Sequence, residues 1–213
     1  IKIKVLHRYI LQLVSFILLG LTAFAQDLDP RAYARIPVNT TAIITGFMYT
    51  YGGVVLDATS PVQNIKADVQ AGSIGVARTF NFFGLSSQAL LALPYSWAQV
   101  SGEVGNQQQS ITRAGFADMR MRFSVLFLGA PAATLAEMRK NPTRKTILGA
   151  SINIIAPTGE FYPDKLINLG TNRWSFRPEL ALSQPFSKRW MLDFYTGLWM
   201  FTNNNSFYPG NSV

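Results

Sequence analysis

The chain has 213 residues, with 19 Lys and Arg against 11 Asp and Glu, one His and no Cys. Its length accommodates one domain with a sizeable core, and 48% apolar with 14% charged residues, against about 25% charged in ordinary globular chains, excludes a disordered polymer. Without Cys there is no disulfide, no thiolate metal cluster and no Cys nucleophile.

The sequence opens on Ile1 rather than Met, so it is expected to be a fragment. Lys2, Lys4 and Arg8 form a positive n-region, residues 9–21 are almost wholly apolar, and Ala23-Phe24-Ala25 is a small-residue cleavage site before Gln26. A membrane anchor would need about 20 apolar residues, so the expectation is a secretory signal of the bacterial type at 1–25 and a mature region at 26–213. Three of the basic residues leave with the signal and all 11 acids stay, which lowers the net charge from +8 to +5. His7 leaves as well. The mature region therefore has neither His nor Cys.

Residues 26–213 contain no run of 18 apolar residues and cannot cross a membrane as a helix. A closed β-barrel is the other structure that satisfies its backbone in lipid, and its signature is segments of about ten residues alternating with period two. Seven segments alternate: 42–51, 67–79, 88–100, 117–127, 146–156, 173–183 and 190–202. In 67–79 Asp68, Gln70, Gly72 and Arg78 share one face, and small residues such as Ala71, Gly75 and Ala77 the other. In 88–100 Leu91, Leu93, Tyr95 and Trp97 oppose Ala92, Ser96 and Ala98, and Pro94 predicts a bulge or bend.

Two segments are cleaner. Met119, Met121, Phe123, Val125 and Phe127 interleave with Asp118, Arg120, Arg122 and Ser124, and Trp174, Phe176, Pro178, Leu180 and Leu182 with Arg173, Arg177, Glu179 and Ser183. In 146–156 Leu148, Ala150, Ile152 and Ile154 oppose Gly149, Ser151 and Asn153; in 190–202 Leu192, Phe194, Leu198 and Met200 oppose Asp193, Tyr195 and Gly197. A soluble sandwich alternates too. The signal segment, the low charge and the flanking aromatics favour lipid on the apolar side.

With the first strand running outward, the outward loops fall at 52–66, 101–113, 157–172 and from 203, and the inward connections at 80–87, 128–145 and 184–189. These are rich in turn residues, and 132–140 reads as a short helix ended by Pro142. Tyr95, Trp97, Phe161, Tyr162, Trp174, Trp190, Trp199 and Tyr208 fall near strand ends or in loops, where amphipathic rings favour a lipid–water interface.

Catalytic chemistry finds little support. A Ser-His-Asp arrangement needs an imidazole that the mature region lacks, the carboxylates have no metal-ligand spacing, and no G-x-x-x-x-G-K loop exists. The expectation is no enzyme, no metal and no cofactor. Nucleic acid is not an expected partner, because Arg120 and Arg122 stand beside Asp118 with an apolar face behind them. The polar faces suit a lumen instead: Asp68, Arg78, Asp118, Arg120, Arg122, Asn153, Arg173, Arg177, Glu179 and Asp193 are the expected lining, as opposite charges laddered across strands. The alternative is that the same residues are pairs that stiffen a narrow barrel through which no solute passes.

Leu28-Asp29-Pro30-Arg31-Ala32-Tyr33, Pro37-Val38-Asn39-Thr40, Arg78-Thr79-Phe80, Leu93-Pro94-Tyr95, Gly115-Phe116-Ala117-Asp118, Pro157-Thr158-Gly159-Glu160-Phe161, Leu169-Gly170-Thr171-Asn172-Arg173-Trp174 and Asn203-Asn204-Asn205 together resemble a family of bacterial outer-membrane transporters known as the "MetA-pathway of phenol degradation". The resemblance spans most of 27–210. It implies an outer-membrane β-barrel tied to uptake of hydrophobic or aromatic compounds, with no catalytic residues to carry over. Members continue with further strands. The expected fold is therefore all-β, an incomplete antiparallel transmembrane barrel of about seven strands, from a parent of about ten to fourteen. The expected function is passive passage of small hydrophobic or aromatic solutes through the bacterial outer membrane. Its partners would be outer-membrane lipid, the solute and, during biogenesis, barrel-assembly and periplasmic chaperone machinery. A non-conducting structural or adhesive barrel and a secreted ligand-binding β-sandwich are the alternatives.

Overall fold

Every alternating segment of the sequence forms β-strand over most of its length in the structure, a computed structural model that describes residues 32–54, 62–104, 107–142, 145–187 and 189–206. The expected signal at 1–25 lies outside the described residues, as do 55–61 of the first outward loop and Tyr208. The strands are β1 (Thr41–Gly53), β2 (Val62–Phe82), β3 (Leu85–Val104), β4 (Gln107–Phe116), β5 (Met119–Pro131), β6 (Ile147–Ala156), β7 (Ser175–Pro185), β8 (Met191–Gly197) and β9 (Met200–Phe201). All pairings are antiparallel, in one sheet of order β1-β2-β3-β5-β6-β7-β8. β4 and β5 lie end to end along β3, and β8 and β9 end to end along β7, so nine elements fill seven strand positions. Among the described residues β1 and β8 each keep one free edge, and no second sheet packs on the first, which removes the sandwich alternative. No helix of the described residues is long and apolar enough to cross a membrane.

Both strand breaks face a proline of the neighbouring strand. The N–H and C=O of one residue point to the same neighbour in an antiparallel ladder. Pro94 can therefore accept from Ala117 N (3.0 Å) but cannot return the bond, and β4 gives way to β5 at Ala117-Asp118. Pro178 likewise accepts from Leu198 N (3.3 Å), and β8 stops one residue earlier. The irregularity expected at Pro94 thus appears in its neighbour, while β2 and β3 stay in register past it.

The connections refine the sequence reading. The expected inward connection at 80–87 shrinks to Phe83-Gly84, whose φ values of 51° and 84° are those of a type I′ turn, the hand that matches strand twist; Asn81 Oδ1 accepts from Gly84 N at 2.7 Å. Within 128–145 the expected helix is α1 (Leu135–Lys140), opened by a capping box between Thr134 and Glu137. The expected loop at 101–113 is corrected: β3 runs to Val104 and β4 starts at Gln107, paired from Tyr95↔Phe116 to Val104↔Gln107. Its glutamines and serines suggested a loop, but backbone bonds hold a hairpin that needs no apolar face in water. β2 and β3, 21 and 20 residues long, exceed the roughly 9–11 residues of a membrane-crossing strand.

The two faces of the sheet differ in chemistry. One carries exposed large apolar groups, including Ile43 (77% exposed), Phe47, Ile74, Leu93, Leu180 and Phe194. On it Phe80 and Phe82 meet Phe123 toward the end that holds the β2–β3 turn, the near end, and Tyr95, Trp97 and Phe116 cluster toward the other, the far end. The opposite, concave face holds small and polar groups, with Ser86, Ser96, Ser124, Ser151, Ala77 and Ala181 buried.

Candidate functional site

The N-terminal strap, residues 33–40, crosses the concave face at the near end. At one end of it Asn39 N donates to Thr79 O, and Thr79 N to Thr40 O, both at 2.9 Å; Val38 N donates to Ala133 O ahead of α1. At the other end Tyr33 is 1% exposed, the most deeply buried large side chain among the described residues. Its hydroxyl donates to Glu179 Oε1 at 2.7 Å and lies 2.8 Å from Ser151 Oγ. Its ring carries the Arg122 guanidinium 4.8 Å from its centroid and packs on Tyr195 at 5.4 Å. The socket exists because Gly149 lies beneath: a Cβ there would stand 2.7 Å from the ring.

Charge in the cluster is arranged by register. Arg122, Asn153 and Arg177 form one row across β5, β6 and β7, and Ser124, Ser151 and Glu179 the next. Glu179, 9% exposed, accepts from Arg177 Nη2 at 2.9 Å and from Arg122 Nη2 at 3.5 Å. Arg122 reaches across β6, about 9.5 Å in two strand spacings, because β6 offers only a Ser and an Asn there. A buried carboxylate shared by two guanidiniums and a phenol is compensated; removing it takes the shared anion from both cations. Further along, Ser183 donates to Asp193, the Arg177 guanidinium lies 5.6 Å from the Trp199 centroid, and that of Arg173 lies 4.5 Å from Phe201.

Toward the far end the break opposite Pro94 gives Asp118 a separate task. Its Oδ1 accepts from Gly159 N at 2.9 Å, and its Oδ2 from Thr171 N at 2.8 Å and Thr171 Oγ1 at 2.7 Å. Asp118, 6% exposed, thereby pins both limbs of the β6–β7 loop, with help from Met119 N donating to Thr158 Oγ1 and Glu160 N to Phe116 O. Beneath the pinned loop a cavity of about 450 Å³ opens against β1, β2 and β3, lined by Gly46, Ala71, Ser73, Ala92, Pro94, Arg120, Ile155 and Leu169 among others.

Of the ten residues expected to line a lumen, Arg120, Arg122, Asn153, Arg177, Glu179 and Asp193 share the concave face by register. Asp118 and Arg173 join them from the break and from the segment before β7. Asp68 and Arg78 do not. Arg78 pairs with Ala89 and Thr41, and Asp68 with Gln99 and Tyr51, in rows of the apolar outer face, where Arg78 Nη1 donates to Thr41 Oγ1 and Asp68 Oδ2 accepts from Tyr49 Oη. Ten residues of strand span about 33 Å, enough to flank an apolar band about 25 Å tall once tilted. Polarity on β2 thus marks the borders of the outer face, and its inner face is the small-residue one. Trp199, expected among the interfacial rings, turns inward to Arg177. Tyr33, Ser151 and Thr171 were not among the residues expected to line a lumen, although Tyr33 and Thr171 fall in the motifs that carry the resemblance and Ser151 on the polar face of its strand. Tyr33 lies outside any strand, so no period reveals it; the one local trace is Gly149 at an inner position of β6.

The sequence model of one protein family, described as "Putative MetA-pathway of phenol degradation", matches residues 52–213. No curated protein shows significant similarity to the chain. The fold is similar to the crystal structure of the COG4313 outer membrane channel from Pseudomonas putida F1, with a TM-score of 0.60 and 20% sequence identity over 85% of this chain. The match takes in 63% of that channel's length.

Proposed function

Since the chain belongs to the family described as "Putative MetA-pathway of phenol degradation", we propose that its sheet is wall of an outer-membrane channel, which passes small hydrophobic or aromatic solutes down their gradient without chemical change. The observation that carries the reading is the division of one sheet into an exposed apolar face with an aromatic group toward each end and a concave polar face. Water on both sides would leave the first face uncovered, whereas lipid covers it and the polar face becomes the lumen. The structural neighbour, itself an outer membrane channel, supports this. In this reading the near end faces the periplasm, the far end faces outward, and the chain's partners are outer-membrane lipid, its solute and the machinery that inserts barrels.

The strap gives the second reading its footing, since residues 33–40 cross the near end of the lumen and a barrel plugged there would be structural. Liposomes that hold the folded protein separate the two. A channel releases small neutral aromatics that the bilayer itself retains, such as phenyl glucoside, faster than empty vesicles do, and Tyr33→Ala, which empties the Gly149 socket, accelerates release further. Release equal to that of empty vesicles for both proteins would leave the structural reading.

A further inference from the structure

We propose that the cavity beside Arg120 is a binding site for a small aromatic carboxylate. The proposal rests on the channel reading for the solute's presence in the lumen and names its class. Ala92, Arg120 and Ile155 form one row across β3, β5 and β6, and all three line the cavity of about 450 Å³, a volume within the range of about 300–1,000 Å³ for small-molecule sites. From β1 and β2 the lining takes Gly46, Ala71, Gly72 and Ser73 beside Phe47 and Met48, so short side chains leave room next to apolar ones for a small body.

Arg120 is the one cation on that lining, and it makes no hydrogen bond or ion pair with the described residues. Arg122 and Arg177, in the next row, are committed to Glu179. The one acid on the lining, Asp118, has both oxygens occupied by Gly159 N, Thr171 N and Thr171 Oγ1, so it is held toward the loop. A planar guanidinium fork with apolar surface on either side matches a carboxylate carried on an aromatic ring, and it offers a neutral amide of the same shape much less.

Equilibrium dialysis of the full chain, refolded in detergent, against radiolabelled benzoate and benzamide at pH 7 tests this. Benzoate is expected to bind saturably and at least about tenfold tighter than benzamide. Arg120→Gln should weaken benzoate about 10- to 100-fold and leave benzamide within about twofold, and Arg120→Lys should fall between, because it keeps the charge and loses the fork. Equal binding of the two ligands by the unaltered chain, or benzoate binding unchanged in Arg120→Gln, overturns the site. Heat-dependent gel migration verifies folding of each variant. If Arg120→Gln does not fold, the benzoate-to-benzamide ratio of the unaltered chain and of Arg120→Lys decides, a ratio near one in both being the overturning result. Dialysis requires no passage, so benzoate preference without vesicle release would remove the channel and keep the site, and release without preference would do the reverse.

Discussion

Glu179 shows how much of the concave face depends on single atoms. Two guanidiniums and the Tyr33 hydroxyl converge on its carboxylate, and its charge is what allows two arginines, on β5 and β7, to share one row across β6. Glu179→Gln keeps the shape but leaves Arg122 and Arg177 without their anion, and is expected to cost about 3–5 kcal/mol, read as a lower denaturation midpoint of the detergent-folded protein. Arg120→Ala removes a cation with no partner among the described residues, so its denaturation midpoint should change little. If the two variants were equally stable, the pairing described for Glu179 would be wrong.

At the level of elements, prolines decide where strands stop and therefore where loops are held. Pro94 opens the β4–β5 junction, the junction frees Asp118, and Asp118 grips the β6–β7 loop. Asp118→Ala removes the acceptor for three donors, and trypsin is expected to cut after the exposed Lys165 about tenfold faster; an unchanged rate would show that the loop is held by other contacts. The helix α1 provides a pH-dependent element outside the strands. Bonds from the Thr134 backbone N–H and hydroxyl hold the Glu137 carboxyl below its usual value. A carboxyl depressed in the folded state stabilises above its unfolded value, about 4.3, and that stabilisation is lost as pH falls through the folded value. Amide exchange at Met138, which closes the first turn on Thr134 O, should therefore accelerate as pH drops below about 4.3 relative to the intrinsic rate, and Thr134→Ala should flatten that dependence.

For the whole molecule the question is which parity of each strand meets lipid. Ile74 and Ser73 are adjacent on β2 and face opposite sides. Ile74→Arg is expected to cost about 2–4 kcal/mol in a bilayer, whereas Ser73→Arg points into the cavity, costs less and obstructs benzoate; equal costs in vesicle unfolding would refute the assignment of faces. The seven strand positions, the split into apolar and polar faces and the short helix before Pro142 were all legible in the sequence. A period of two, a run of hydrophobicity and a proline stop are local properties that survive without any neighbour. Arg120, Arg122, Asn153, Arg177, Glu179 and Asp193 lie on the concave face for the same reason, since parity within a strand carries them there, whereas Asp118 and Arg173 stand outside any strand. Parity alone does not say which side curls inward, and on β2 small residues rather than charged ones take the concave face, leaving Asp68 and Arg78 on the other. Nor does any local pattern place Tyr33, whose partners Ser151 and Glu179 lie 118 and 146 residues away. By itself the sequence determined an alternating, lipid-suited sheet; its curl, the strap's socket and the setting of Arg120 in its cavity were decided only by the tertiary structure, because they depend on register between strands far apart in the chain.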